Sequence, residues 1–207
     1  MRRDRILERI RAASRGRDRV AHPGDFESWR AADAVAGRAG SGSPGSGGTP
    51  LDRFVTMLEA AGGEVARVSD RTEAAAWLGD FASAFDSVAA GAGVDPALLP
   101  DLPRHAPRRA ALGVSVARCA IAETGSLVLH ARHRPRAQLL PPVHVVLLDA
   151  RAVHVTAREA FAVLRHDLPS ALGLHSGPSK SADIGQVMVE GVHGPGRLVV
   201  LVIDGPA

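Results

Sequence analysis

Two stretches of the chain are apolar at almost every position, Val143 to Leu148 (Val-His-Val-Val-Leu-Leu) and Leu198 to Ile203 (Leu-Val-Val-Leu-Val-Ile). Unbroken β-branched and leucine runs of this length predict strands buried on both faces, the signature of a parallel sheet covered by helices. Between them Thr156-Ala157-Arg158-Glu159 has the spacing of a capping box, predicting a helix from there to about His166. Upstream, Leu51 to Ala61 reads as a helix stopped by Gly62-Gly63, Glu64 to Val68 as a short strand, and Thr72 to Ala82 as a second helix. Gly113 to Val116, Ala120 to Ala122 and Ser126 to His130 are strand candidates. Ala182 to Glu190, with Ile184, Val187 and Met188 at helical spacing and Gly191 as a stop, is expected to be helical. Strands alternating with helices make the expected fold class α/β, with a mainly parallel sheet flanked by helices.

The same pattern divides the chain. Residues 1–36 form a basic arm in which Arg2 to Ala13 has Ile6, Leu7, Ile10 and Ala13 at helical spacing. This arm is either a docking element for a partner or an anionic surface, or a helix with a solvated basic face. Residues 37–50 have the Gly/Ser/Pro composition of a flexible linker. The compact domain is expected over 51–207, with Gly91 to Pro107 as an irregular connection or a lid.

A chain of 207 residues is long enough for one sizeable core. Only 3% of it is aromatic and it has no tyrosine, so the core must be built from Val, Leu, Ile and Ala. A formal net charge of +3, with no interleaving of basic and stacking residues, does not argue for nucleic-acid binding. No apolar stretch has the length of a membrane span. The single cysteine, Cys119, can supply neither an internal disulfide nor the thiolates of a cluster or cysteine-based zinc site. A reduced, cytoplasmic setting is the simplest expectation.

Candidate chemistry concentrates in four turn-rich segments: Ala120-Ile121-Ala122-Glu123-Thr124-Gly125-Ser126, Leu139-Leu140-Pro141-Pro142-Val143-His144, Ser176-Gly177-Pro178-Ser179-Lys180-Ser181-Ala182-Asp183-Ile184 and Gly191-Val192-His193-Gly194-Pro195. Loops carrying polar groups beside apolar strands are where a rigid sheet presents a site. Glu123 stands between a strand and a Gly-containing turn, either as a reactive carboxylate or as an acceptor that fixes the turn. Thr124, Gly125 and Ser126 join it as candidate ligand-binding residues. Lys180 is the only lysine of the chain. With Ser176, Gly177, Ser179, Ser181 and Asp183, it is read as an anion site at the start of the expected helix. The plain alternative is that Ser181 only caps that helix.

His193, on a loop, and His144, at the start of a buried strand, are the two imidazoles placed to act as acid or base. A hydrogen-bonded core role is the alternative, above all for His144. His130, His133, His154, His166 and His175 have no spacing that argues for a metal, and none is assigned. Cys119 reads as a small buried hydrophobe.

Taken in order, the four segments resemble the lactate utilization protein C family, whose members consist largely of a LUD domain. The similarity is strong from about Ala110 to Asp204. It implies a fold like that of ribose-5-phosphate isomerase, glucosamine-6-phosphate deaminase and CoA transferases. It also implies a role in oxidising L-lactate to pyruvate beside iron–sulfur partner subunits. With no cofactor expected on this chain, its implied part is non-redox: binding the substrate, a small anionic ligand or those partners. In CoA transferases the acyl-accepting glutamate lies in a Glu-x-Gly element, and Glu123-Thr124-Gly125 looks similar. The alternative expectation is therefore an independent enzyme on acyl-CoA or sugar-phosphate substrates, using Glu123 and the Lys180 loop.

Overall fold

The computed structural model describes residues 48–130, 135–169, 171–182, 188–190 and 194–205, together with Arg5, Glu8 and Ala12, which are helical. Residues from Gly47 onward form one compact unit, separate from residues 1–46.

The first helix of that unit, α1 (Pro50–Ala60), starts with a complete capping box. The Thr49 hydroxyl accepts from the Asp52 N–H while the Asp52 carboxylate accepts from the Thr49 N–H, and Pro50 supplies the preset first turn. Strand β1 (Glu64–Val68) follows, then α2 (Arg71–Ala82), whose N-terminal N–H groups donate to Asp70. Strands β2 (Val88–Ala90), β3 (Leu112–Val116), β6 (Val143–Asp149) and β11 (Arg197–Ile203) join β1 in a five-stranded sheet of order β1-β11-β6-β3-β2. Every pairing in it is parallel.

A second sheet lies over one face of the first. It contains β4 (Cys119–Ile121), β5 (Ser126–His130), β7 (Val153–His154) and β8 (Leu172–His175) in the order β7-β4-β5-β8. The period-2 alternation of the central strands shows why both faces of the first sheet are apolar. Val145, Leu147, Val199, Leu201 and Ile203 pack on α2, Val94 and Leu98. Val146, Leu148, Leu198, Val200 and Val202 pack on α1 and on Ala120, Leu127 and Leu129 of the second sheet. A short helix α3 (Pro135–Leu139) leads into β6 and packs on Gly113 of β3, where a Cβ would lie 2.4 Å from the Ala137 carbonyl oxygen. Helix α4 (Ala157–Leu164) covers the outer face of the second sheet through Ala160 and Leu164, against Cys119, Ile121 and Val128.

Where a helix is expected over Ala182 to Glu190, both described ends of the stretch are strand, and residues 183–187 lie outside the described residues. Strand β9 (Lys180–Ala182) pairs antiparallel with β10 (Met188–Glu190), Ala182 opposite Met188. In the described strands Ser181 is a poor helix former and Val189 is β-branched. Helix α4 ends at Leu164, two residues before the expected His166. Strands β2, β7 and β8 are additions that the hydrophobic pattern does not predict.

Candidate functional site

The last turn of α1 is the platform on which two of the four polar segments rest. Gly125 has φ +60, and a Cβ there would stand 2.5 Å from the Leu58 backbone nitrogen. Gly177, with φ +120, approaches Ala61 so closely that a Cβ would lie 2.8 Å from its carbonyl oxygen. Only glycine combines this conformation with this proximity. The Lys180 ammonium donates to the same Ala61 carbonyl at 2.8 Å. A cation on an orphan carbonyl at a helix C-terminus is favoured both by the hydrogen bond and by the helix dipole.

Hydroxyls tie the two segments together. Thr124 Oγ1 and Ser126 Oγ share a hydrogen bond of 2.7 Å, and Ser126 Oγ and Ser176 Oγ one of 2.6 Å. The remaining segments join from the other side. The Ser179 N–H donates to the Pro195 carbonyl at 2.8 Å, and the Gly196 N–H donates to the Pro142 carbonyl at 3.0 Å. The Glu-Thr-Gly-Ser turn, the Ser176–Lys180 loop, the Pro141-Pro142 bend and the Gly194-Pro195 turn therefore form one connected region.

Between the two sheets, at the amino-terminal ends of β6 and β11, this region encloses a cleft of about 260 Å³. Leu139, Leu174, Pro195 and Leu198 give it apolar walls, while His175, Ser176 and Ser179 supply polar groups beside Gly177 and Gly194. Behind it, His144 is completely buried, its ring edge-on to that of His175 with centroids 6.1 Å apart. His144 Nε2 shares a 2.9 Å hydrogen bond with Ser115 Oγ, whereas its Nδ1 is buried and has no partner among the described residues. Burial drives the His144 pKa down to about 3, with the nearby His175 adding to the effect. Burial also lowers the pKa of His175. Both rings are neutral near pH 7.

Glu123 faces elsewhere. Its carboxylate accepts a 2.7 Å hydrogen bond from the Ala157 N–H, the first N–H of α4, while Thr156 caps the Glu159 N–H. The Glu159 carboxylate in turn accepts from the Val155 N–H. A negative charge at a helix N-terminus is favoured by the dipole, so Glu123 anchors α4 to the β4–β5 turn. Neither the Ala157 contact of Glu123 nor the Ala61 contact of Lys180 brings these two charges to a common point. Ser181 lies in β9 rather than at a helix start, and Asp183 and His193 lie outside the described residues. The cleft also uses Leu139, which opens the Leu-Leu-Pro-Pro-Val-His segment, and His175, Leu174 and Leu198, which lie in none of the four segments. A lone His in a Leu-Gly-Leu-His run carries no signal until β8 is known to cross in front of β6. Among the described residues no cluster of three or more His, Cys, Asp or Glu could hold a metal.

Residues 104–203 match the LUD domain family. Over 96 residues the chain is 41% identical to an uncharacterised protein of Neisseria meningitidis serogroup B, covering 44% of this chain and 41% of that one. Over 115 residues it is 37% identical to lactate utilization protein C of an Exiguobacterium species, covering 51% of this chain and 50% of that protein. The chain thus spans about half, or less, of the length of these relatives. A solved structure of a DUF162 family protein from Deinococcus radiodurans superposes with a TM-score of 0.58 at 23% identity, covering 74% of this chain and 96% of the other. That likeness speaks for the fold alone. All four segments lie inside the matched region, and it is over these residues, 104–203, that the chain is similar to the LUD domain family.

Proposed function

We propose that this chain is a non-redox component of a lactate-utilising system, and that its LUD domain binds a small anionic ligand in the cleft between the two sheets. The observation that carries the reading is the convergence of three of the four polar segments on one cleft with hydroxyls and an imidazole at its wall, the Glu-Thr-Gly-Ser turn being tied to it through the Ser126–Ser176 hydrogen bond. The name borne by relatives such as that of the Exiguobacterium species supports the pathway. The single cysteine supports the non-redox part. Cys119 is buried, and desolvation pushes its thiol pKa up to about 11, so it is a packing residue. In this reading electrons pass through iron–sulfur partner subunits, and this chain contributes recognition. Nothing in the surroundings of Glu123 favours a transferase-type nucleophile over its role at the start of α4.

A thermal-shift panel of L-lactate, pyruvate, CoA, nucleotides and sugar phosphates tests the proposal. A ligand at about a hundred times its Kd stabilises the folded state by about 2.7 kcal/mol. The expected result is a rise in melting temperature with a small acid, reduced by Ser179→Ala. A panel with no response overturns the binding reading. A response confined to CoA or sugar phosphates would favour the enzyme alternative.

A further inference from the structure

Strand β2 is one edge of the parallel sheet, and its register with β3 fixes which of its peptide groups face outward. The Leu112 N–H donates to the Ser87 carbonyl and the Gly91 N–H to the Val114 carbonyl. Ser87, Ala89 and Gly91 therefore bond inward, while Val88 and Ala90 present their peptide groups to the outside. Those of Val88 are taken: its N–H donates to the Pro103 carbonyl and its carbonyl accepts from the His105 N–H, both at 3.0 Å. One more step of this parallel pairing needs an N–H at position 107 for the Ala90 carbonyl. That residue is Pro107, which has none. The chain turns away instead, with the Arg109 N–H donating to the Ala106 carbonyl at 2.8 Å across a turn that has Pro107 at its second position. The Ala90 N–H and carbonyl have no backbone partner among the described residues.

A cavity of about 230 Å³ opens at this point, lined by Val88, Ala89, Ala90, Arg104, His105 and Pro107. Its floor is a strand edge with small apolar side chains, and its rim is basic. Arg104, His105, Arg108 and Arg109 are all exposed, against one acidic residue, Asp101, between Pro100 and Ala110. Elsewhere Arg67, Arg71, Arg118, Arg151 and Arg197 each meet a carboxylate. The arginines beside β2 form no such pair among the described residues. An open edge of this kind is a template for another strand. A second copy of the chain would bring the same arginines to the same edge, and like charges oppose that pairing. A segment rich in Asp or Glu is drawn to it.

We infer that the edge of β2 at Ala90 docks an extended, acidic segment of a partner protein. The segment adds a short strand where the pairing of residues 103–105 stops, exchanging hydrogen bonds with the Ala90 N–H and carbonyl. Its carboxylates meet Arg104, Arg108 and Arg109, and its apolar side chains meet Val88 and Ala90. Main-chain bonds to a sheet edge supply affinity in such a complex, and the side chains that flank the edge supply selectivity. Charge-assisted bonds from arginine to carboxylate make the acidic segment the preferred one. The inference is independent of the cleft between the sheets and of any ligand bound there.

Fluorescence anisotropy of the full chain with a fluorescein-labelled peptide, Glu-Val-Glu-Val-Glu-Val, tests this. Saturable binding is expected, weakening as added NaCl screens the charges. The lysine counterpart, Lys-Val-Lys-Val-Lys-Val, and the protein variant Arg104→Glu/Arg108→Glu should each lower the affinity by about tenfold or more. N-methylation of the two central peptide amides keeps the charges but removes strand hydrogen bonds, and should also weaken binding. Ala90→Pro is the matching change in the protein, since it deletes the outward N–H and leaves the bonds to β3 in place. The peptide comparisons use the unaltered protein, so they stand even if a variant does not fold. No binding of the acidic peptide overturns the inference, as does equal binding of the lysine or the N-methylated peptide. Oligothymidylate binding as tightly as the acidic peptide would make the arginines a general polyanion surface and overturn the assignment to a peptide strand.

Discussion

His144 is enclosed between two sheets with one ring nitrogen on Ser115 and the other without a partner among the described residues. An orphan acceptor costs less than an orphan N–H, so the Nε2–H tautomer, donating to Ser115 Oγ, is the one the site favours. The charged ring would lose far more, and this has a consequence for acid stability. With its pKa lowered from 6.5 to about 3, the folded ring stays unprotonated while the unfolded one takes a proton below about pH 6.5. Stability contributed above that pH is lost as pH falls, at about 1.4 kcal/mol per unit, until the folded ring also protonates near pH 3. His175, shifted in the same direction, adds to the slope. Asp52, Glu64 and Glu73, whose lowered pKa values start from 3.8 and 4.5, act only in more acid solution. Urea unfolding at about pH 7.5 and about pH 5.5 should show a loss on the order of 1–3 kcal/mol. Equal midpoints at the two pH values would contradict the burial of these rings. The sequence leaves His144 open to a core or an acid–base role, and its setting combines burial with a place behind the cleft. The role of Glu123 turns on a partner thirty-four residues away, which no local pattern can show.

At the scale of elements, α1 does more than cover the sheet. Its final turn receives Gly125, Gly177 and Lys180, so the site is registered to a helix that lies before the matched family region. Gly125→Ala would combine a left-handed backbone with a Cβ at 2.5 Å from the Leu58 nitrogen. It should cost on the order of 2–4 kcal/mol. Gly79, exposed in α2 with nothing within 4 Å of where a Cβ would stand, is the internal control, and Gly79→Ala should stabilise by about 0.5–1 kcal/mol. Chemical denaturation of both variants checks the pair, and a Gly125→Ala protein as stable as wild type would refute the helix–turn contact. Long, strongly patterned elements are legible in the sequence: α1, β1, α2, β6 and β11 all stand within a residue or two of where their periodicity puts them. The start of α4 is legible from Thr156 for the same reason, a cap with a physical cause. Strand β8 is not, because Leu-Gly-Leu-His is short, contains glycine and is only half-buried at a sheet edge. The β9–β10 pair is hidden because each strand is only three residues long and the apolar spacing of the sequence around them fits a helix as readily as strands.

On the scale of the whole molecule, the site exists because a second sheet closes over one face of a parallel one. The hydrophobic runs predict the parallel sheet, but the order β1-β11-β6-β3-β2 and the overlying layer depend on long-range pairing that periodicity does not encode. Nor does periodicity show that the cleft opens at the amino-terminal ends of β6 and β11, whereas ligands of open α/β sheets usually sit beyond the carboxyl ends. Ser126, Ser176, Ser179 and Gly194-Pro195 do stand out in the sequence as parts of segments of one kind, and the fold brings those segments into contact. If this contact region is a binding cleft for a small acid, its amides must respond to one. Titration of the ¹⁵N-labelled protein with L-lactate and with pyruvate, followed by amide resonances, tests this most directly. Saturable shifts confined to Leu174–Ser179, Gly194 and Leu198 are expected, with the amides of β2 and α2 unmoved. Shifts centred on Glu123 and Ala157, or none at saturating acid, would contradict a binding cleft at this place.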